Sequence, residues 1–196
     1  NFFRGLHFLY QDETDMALIY FNNYDSEISQ YFVGLCYYSQ NNYENAKRSF
    51  ALFLRELDQI QEVSPTLKGH REFQFVEYNV LNDLAFCNLI VKDYQQAYKA
   101  FQAILKIFTI EEVYSNKQLS KADEENYDFK AWVNNYLYCL KKLGRYEEYK
   151  KVLQFVLQEF PKEKRYEKHK QEIEKLITKN SFADSILDTL NKPRKK

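Results

Sequence analysis

The chain has few of the residues that break or relax a polypeptide backbone. Its 196 residues include only four glycines and three prolines, whereas collagen-like chains, low-complexity chains and turn-rich β sandwiches need many of them. Its 28 basic residues balance its 28 acidic residues, so it lacks the cationic surplus with which proteins bind the phosphates of nucleic acids. The 45% of apolar residues is enough for a sizeable core. Together, these features predict a helical protein with no nucleic-acid partner.

Long apolar runs and closely spaced metal ligands are also missing. The apolar stretch at 84–91 is far shorter than the roughly 20 residues that span a bilayer, so we expect no membrane insertion. The three cysteines, Cys36, Cys87 and Cys139, form no close pair, and the three histidines are scattered. We therefore expect no metal and no cofactor, and we expect buried, reduced cysteines in an intracellular, reducing environment.

The sequence contains no familiar catalytic motif. It has no glycine-rich phosphate loop, no nucleophile elbow and no recognisable cysteine and histidine pair. Its acidic pairs fall at predicted helix starts or turns. There they interact favourably with the positive end of a helix dipole, which explains them better than a role in acid–base catalysis does. We predict that the protein is not an enzyme.

The near-equal spacing of the cysteines reflects an internal repeat. In most copies a small or apolar residue precedes a bulky one by three positions, and a second segment then carries two core positions four apart. The copies begin at Gly5, Gly34, Ala85 and Leu137. Residues three or four apart share one face of a helix, so each copy predicts an antiparallel helical hairpin with a short polar turn.

The clearest copy carries Gly34, Tyr37, Tyr43, Ala46 and Phe50. This pattern resembles the tetratricopeptide repeat family, in which Leu-Gly, a Tyr and Ala-x3-Phe recur about every 34 residues. The resemblance covers residues 1–161. It implies an all-α fold, a right-handed α-solenoid of about four antiparallel helix hairpins, the first of them truncated.

The copies are spaced unevenly, and the chain continues beyond the last one. We interpret the insertion at 61–79 as a longer first helix of the third hairpin, the segment 111–121 as a surface loop, and 123–143 as the next helix. Residues 162–196 are predicted to form C-terminal capping helices with a basic tail, since the last hairpin of a solenoid must cover its apolar face. The capping residues would be Tyr166, Ile173, Ile177, Ile186 and Leu190.

The resemblance also implies a binding face, because members of this family hold peptides on the concave surface made by their first helices. The predicted partner-binding positions on that face are Tyr31, Leu35, Tyr38, Asn82, Phe86, Asn134, Tyr138 and Lys141. Equivalent positions elsewhere are Phe2, Leu6, Leu9 and Leu89. An amide side chain both donates and accepts hydrogen bonds, so Asn82 and Asn134 are suited to a partner's peptide units.

Together these features predict a non-catalytic protein–protein interaction scaffold that binds a protein or peptide partner in its concave groove. Two alternatives remain open: a peptide-sensing regulatory domain of a larger protein, and a structural subunit of a large assembly whose groove is permanently filled. A third alternative is a non-reacting subunit of an enzyme. A further alternative is that neighbouring helices or the chain's own tail fill the groove, which would then have no free binding site.

Overall fold

A computed structural model describes residues 1–26, 28–66, 70–110, 127–159, 166 and 169–178. Within these ranges all regular secondary structure is helical and no strand occurs. The predicted all-α class is therefore confirmed for the part of the chain described.

Short turns connect the helices in pairs. The helices are α1 (Phe2–Tyr10), α2 (Thr14–Asn22), α3 (Ile28–Ser39), α4 (Tyr43–Val63), α5 (Arg71–Ile90), α6 (Tyr94–Ile107), α7 (Tyr127–Lys142) and α8 (Tyr146–Glu159). Residues 169–178 are also helical. The chain divides into two compact units, Asn1–Tyr136 and Leu137–Lys196. In the first unit each helix from α1 to α5 packs against the helix that follows it.

The four predicted hairpins share one turn geometry. Each turn has one residue with positive φ, seven positions after the first residue of its copy; these residues are Asp12, Asn41, Lys92 and Gly144. In every turn the amide of the next residue donates to the carbonyl five positions earlier, as from Asn42 to Tyr37 at 2.8 Å. This closure satisfies a carbonyl that the end of a helix leaves without a partner. The turns therefore recur at the same offset in all four sequence copies.

Two of the second helices begin at a polar cap. The side-chain oxygen of Asn42 accepts a hydrogen bond from the amide of Asn45 at 3.4 Å, and that of Asp93 accepts one from Gln96 at 3.3 Å. Such caps satisfy amides that have no partner within the helix. They stabilise the first turns of α4 and α6.

The two helices of a hairpin approach closely where the sequence has small residues. A Cβ added to Gly34 would lie 2.5 Å from the ring of Phe50, and one added to Gly5 would lie 2.6 Å from the ring of Phe21. Ala46, four positions before Phe50, is completely buried. These ring-on-glycine contacts explain why the repeat pairs a small residue with an aromatic one.

All three cysteines are buried and free of disulfide bonds, as predicted. Burial raises the pKa of the Cys36 thiol to about 11, that of Cys87 to about 12 and that of Cys139 to about 11. Thiols with such pKa values remain protonated at neutral pH and are poor nucleophiles. Their role in the structure is to fill space in the core.

The first insertion lengthens two helices instead of one. We expected it to extend only the first helix of the third hairpin, but α4 continues to Val63 before α5 begins at Arg71. Gln61, near the end of α4, is buried, and its amide lies 3.5 Å from a carboxylate oxygen of Glu77 in α5. The expected surface loop at 111–121 and the first residues of the expected helix at 123–143 lie outside the described residues.

The second unit is held together partly by polar contacts from α8 and α7 to the C-terminal helical residues. Tyr149 is buried, and its hydroxyl lies 2.8 Å from Nδ1 of His169. Tyr166 and Ile173 are also buried, and Ile177 is partly buried. The other two expected capping positions, Ile186 and Leu190, lie outside the described residues.

Candidate protein-binding face

The strongest candidate for a binding surface lies on α3 and α5 of the first unit. We call it the α3/α5 face and define it by Tyr31, Leu35, Tyr38, Asn82, Asp83 and Phe86, all of which are partly exposed. The ring centroids of Tyr38 and Phe86 lie 5.7 Å apart, so α3 and α5, the first helices of successive hairpins, contact each other through side chains. The structure thus brings together five of the eight residues that the sequence predicts.

The aromatic residues of this face also contribute to the core. The ring of Tyr31 lies 6.0 Å from that of Phe50 and 5.7 Å from that of Phe53. Tyr43, at the start of α4, lies 5.7 Å from Tyr38. Because packing fixes these rings on one side, a partner that contacts their exposed edges would immobilise few further side-chain torsions.

Asp83 is the unusual residue of the α3/α5 face. Burial raises the pKa of its carboxyl from 3.8 to about 7. Within the part of the chain that the structure describes, Asp83 forms neither a salt bridge nor a side-chain hydrogen bond. A carboxylate held partly away from water without a compensating charge raises the free energy of the folded protein.

The position of Asp83 is shown by its effect on its neighbours. Burial, and after it the Asp83 carboxylate, raise the pKa of Tyr31 to about 12 and that of Tyr38 to about 12. Asp83 also adds to the raised pKa of Cys87. The carboxylate is therefore close enough to the two phenols of α3 to disfavour their ionised forms, so both phenols keep their protons at neutral pH and can donate hydrogen bonds.

The two predicted amides have no bonding partners in the described residues. Asn82 and Asn134 are partly exposed, and neither side chain takes part in a hydrogen bond there. By contrast, Asn88 is buried and donates to the carbonyl of Leu84 at 2.9 Å. Within the described ranges, the side chains of Asn82 and Asn134 therefore differ from that of Asn88, which bonds within its own helix.

The other predicted positions have different surroundings. In the first copy, Phe2 contacts the ring of Phe32 at 5.2 Å, while Leu6 and Leu9 pack against a buried cluster of α2 and α3. Leu89 is buried. In the second unit, Tyr138 is 46% exposed with the Lys142 ammonium 5.3 Å from its ring centroid, and the Lys141 ammonium lies 2.9 Å from a carboxylate oxygen of Glu172.

Asp83 was not among the residues predicted from the sequence, although the sequence holds a signal for it. It is the only charged residue between Tyr78 and Val91, a stretch otherwise made of apolar residues and three asparagines. The family register places its neighbour Asn82 on the concave face. The repeat register did not indicate that the next residue would lie between two helices.

The described residues contain no group of three or more His, Cys, Asp and Glu side chains arranged to hold a metal ion. No helix among them is long and apolar enough to cross a membrane. No protein-family model and no curated protein sequence matches this chain. Its function is therefore inferred from the repeated hairpins and the α3/α5 face.

Proposed function

We propose that the protein is a non-catalytic scaffold that binds a partner polypeptide along the first helices of a tetratricopeptide-like, right-handed α-solenoid. Residues 162–196 would cap that solenoid. The observation that carries the proposal is the turn geometry shared by all four hairpins. Identical turns give the two helices of each hairpin the same geometry, and stacking of such hairpins would produce the extended concave surface that repeat proteins use for binding.

The composition of the α3/α5 face supports binding to a polypeptide. Tyr31, Tyr38 and Phe86 are aromatic, partly exposed and fixed by packing. Aromatic side chains of this kind are enriched in the centres of protein interfaces because they supply large contact area at a low entropic cost. We infer that these rings contact side chains of the partner.

The free amides provide contacts to a partner's backbone. Asn82 and Asn134 each have a donor and an acceptor available within the described structure, and a peptide unit offers the complementary pair. Each hydrogen bond of this type contributes about 0.5 to 1.5 kcal/mol. Because backbone contacts are independent of side-chain identity, they would hold the chain of the partner while the aromatic residues select its sequence.

The proposal is tested with peptides selected on the intact chain from a library of random sequences. Replacing both amides, Asn82→Ala with Asn134→Ala, should weaken binding of a selected peptide by about ten to a hundredfold and leave the helicity unchanged. The matched control replaces the exposed amides Gln95 and Gln154 by Ala on the second helices of the same two hairpins, and should leave the affinity unchanged. Equal affinity of the Asn82/Asn134 variant and the wild type would contradict the proposal.

A further inference from the structure

We propose that Asp83, flanked by Tyr31 and Tyr38, receives a Lys or Arg side chain of the polypeptide bound on the α3/α5 face. This inference rests on the proposed function and adds to it the chemical class of the partner. It predicts a partner segment in which a cationic residue lies among apolar or aromatic ones.

The uncompensated charge of Asp83 favours a cationic ligand. No cation of the described residues pairs with Asp83. Lys47, which lowers the pKa of Cys87, forms a salt bridge with Glu44 at 3.1 Å. An ionised carboxylate in a partly dry site attracts a cation more strongly than one in bulk water, because solvent screens it less. A partner with an acidic or neutral residue at this point would leave the charge uncompensated.

The aromatic rings around the carboxylate favour the same ligand. The faces of aromatic rings attract cations, and a guanidinium also stacks on them. Tyr38, Phe86 and Tyr43 form a cluster with centroid distances of 5.7, 5.7 and 6.2 Å. The aliphatic part of a Lys or Arg side chain would pack on these rings while its charged end reaches Asp83.

The protonated state of the neighbouring phenols limits the number of cations. Tyr31 and Tyr38 keep their protons at neutral pH, so they add no negative charge. Asp83, whose pKa is about 7, is then the one carboxyl of the face that a bound cation would hold in its ionised form. A single anion next to neutral donors and apolar rings fits one cationic side chain. It fits a strongly basic segment less well, because each further cation would lack a counter-charge.

The test is a double-mutant cycle on a peptide selected with the intact wild-type chain. Each Arg of the peptide is replaced in turn by citrulline, which removes the charge and nearly keeps the size, and each Lys by acetyl-lysine, which removes the charge and adds an acetyl group. One such replacement should weaken binding to the wild type by about ten to a hundredfold, and should have little effect on binding to Asp83→Asn. The control is Asp58→Asn, at an exposed carboxylate of α4, which should respond to the peptide replacement as the wild type does.

The outcomes separate this inference from the function on which it rests. If a selected peptide depends on Asn82 and Asn134 but no charge replacement distinguishes wild type from Asp83→Asn, the inference is wrong and the scaffold function stands. If selection returns no peptide, or none that depends on the two amides, both are wrong. Peptide binding that appears only after removal of the basic residues 192–196 would mean that the chain covers its own face, which would also overturn the inference.

Discussion

Replacing Asp83 by Asn should stabilise the folded protein at neutral and alkaline pH. The substitution keeps the size of the side chain and removes its charge. Asp83 is partly buried without an ion pair in the described structure, so its ionised form gains less from its surroundings than it does in water. A variant without the charge avoids this cost.

The raised pKa gives the sign and the size of the effect. Some carboxyls have a higher pKa in the folded state than in the unfolded state. The contribution of such a carboxyl to stability is fully present below its unfolded-state pKa and is lost as the pH rises through its folded-state pKa. The pKa of Asp83 moves from 3.8 to about 7, which at about 1.4 kcal/mol per pKa unit sets an upper value of about 4 kcal/mol. Residual solvent contact and the polarity of Asn reduce the expected gain to about 1 to 3 kcal/mol.

The assay is urea denaturation followed by circular dichroism at pH 5 and pH 8 on the wild type, Asp83→Asn and the control Asp58→Asn. The free energy of unfolding of Asp83→Asn should exceed that of the wild type at pH 8, and most of the difference should disappear at pH 5. Asp58 is exposed, so its variant should lie within about 0.5 kcal/mol of the wild type at both values.

Two results would refute the reasoning about Asp83. Equal stability of Asp83→Asn and the wild type at pH 8 would mean that another group compensates the charge of the carboxylate. Lower stability of the variant at pH 8 would mean that the ionised carboxylate stabilises the fold. Either result would also remove the charge argument for a cationic partner side chain.

Three further predictions follow from the packing of the hairpins. Leu in place of the completely buried Ala46 or Ala97 should lower the free energy of unfolding by about 1 to 3 kcal/mol. The control Ala51→Leu, on the exposed side of α4, should leave it unchanged. Unchanged melting of both buried-site variants would contradict the repeat register. The three buried cysteines should react slowly with a thiol reagent until the protein is denatured, and rapid labelling of all three in the native protein would contradict their placement in the core. Deletion of residues 162–196, which include the buried Tyr166 and Ile173, should cause aggregation by exposing apolar surface, and an equally stable monomeric truncation would contradict a capping role.

The repeat pattern predicted the hairpins well because it is local. Spacing of three and four residues determines which side chains share a helix face, and polar residues mark the turns. The positive φ values of Asp12, Asn41 and Lys92 lie where the shifted copies place them. The pairing of Gly34 with Phe50 likewise follows from offsets within one copy.

Features that depend on the distance between neighbouring copies were harder to predict. The end of α4 at Val63 depends on a helix continuing through an insertion that has no counterpart in the family pattern. How deeply Asp83 is buried depends on how closely α3 and α5 approach each other. Knowing which face of α5 a residue occupies does not give that distance. For the same reason Tyr31 was expected on a surface, whereas the structure also packs its ring on Phe50 and Phe53.

The most direct test of the scaffold function locates the partner on the protein. A photoreactive amino acid replaces Asn82 on α5 in one variant and Gln95 on α6 in another, both in the intact chain, and crosslinked polypeptides from native extract are identified by mass spectrometry. We predict that the variant at Asn82 crosslinks to a defined segment of one polypeptide, and that the variant at Gln95 does not. Crosslinks to a common partner from Gln95 and none from Asn82 would place the partner on the second helices and contradict the proposed binding face.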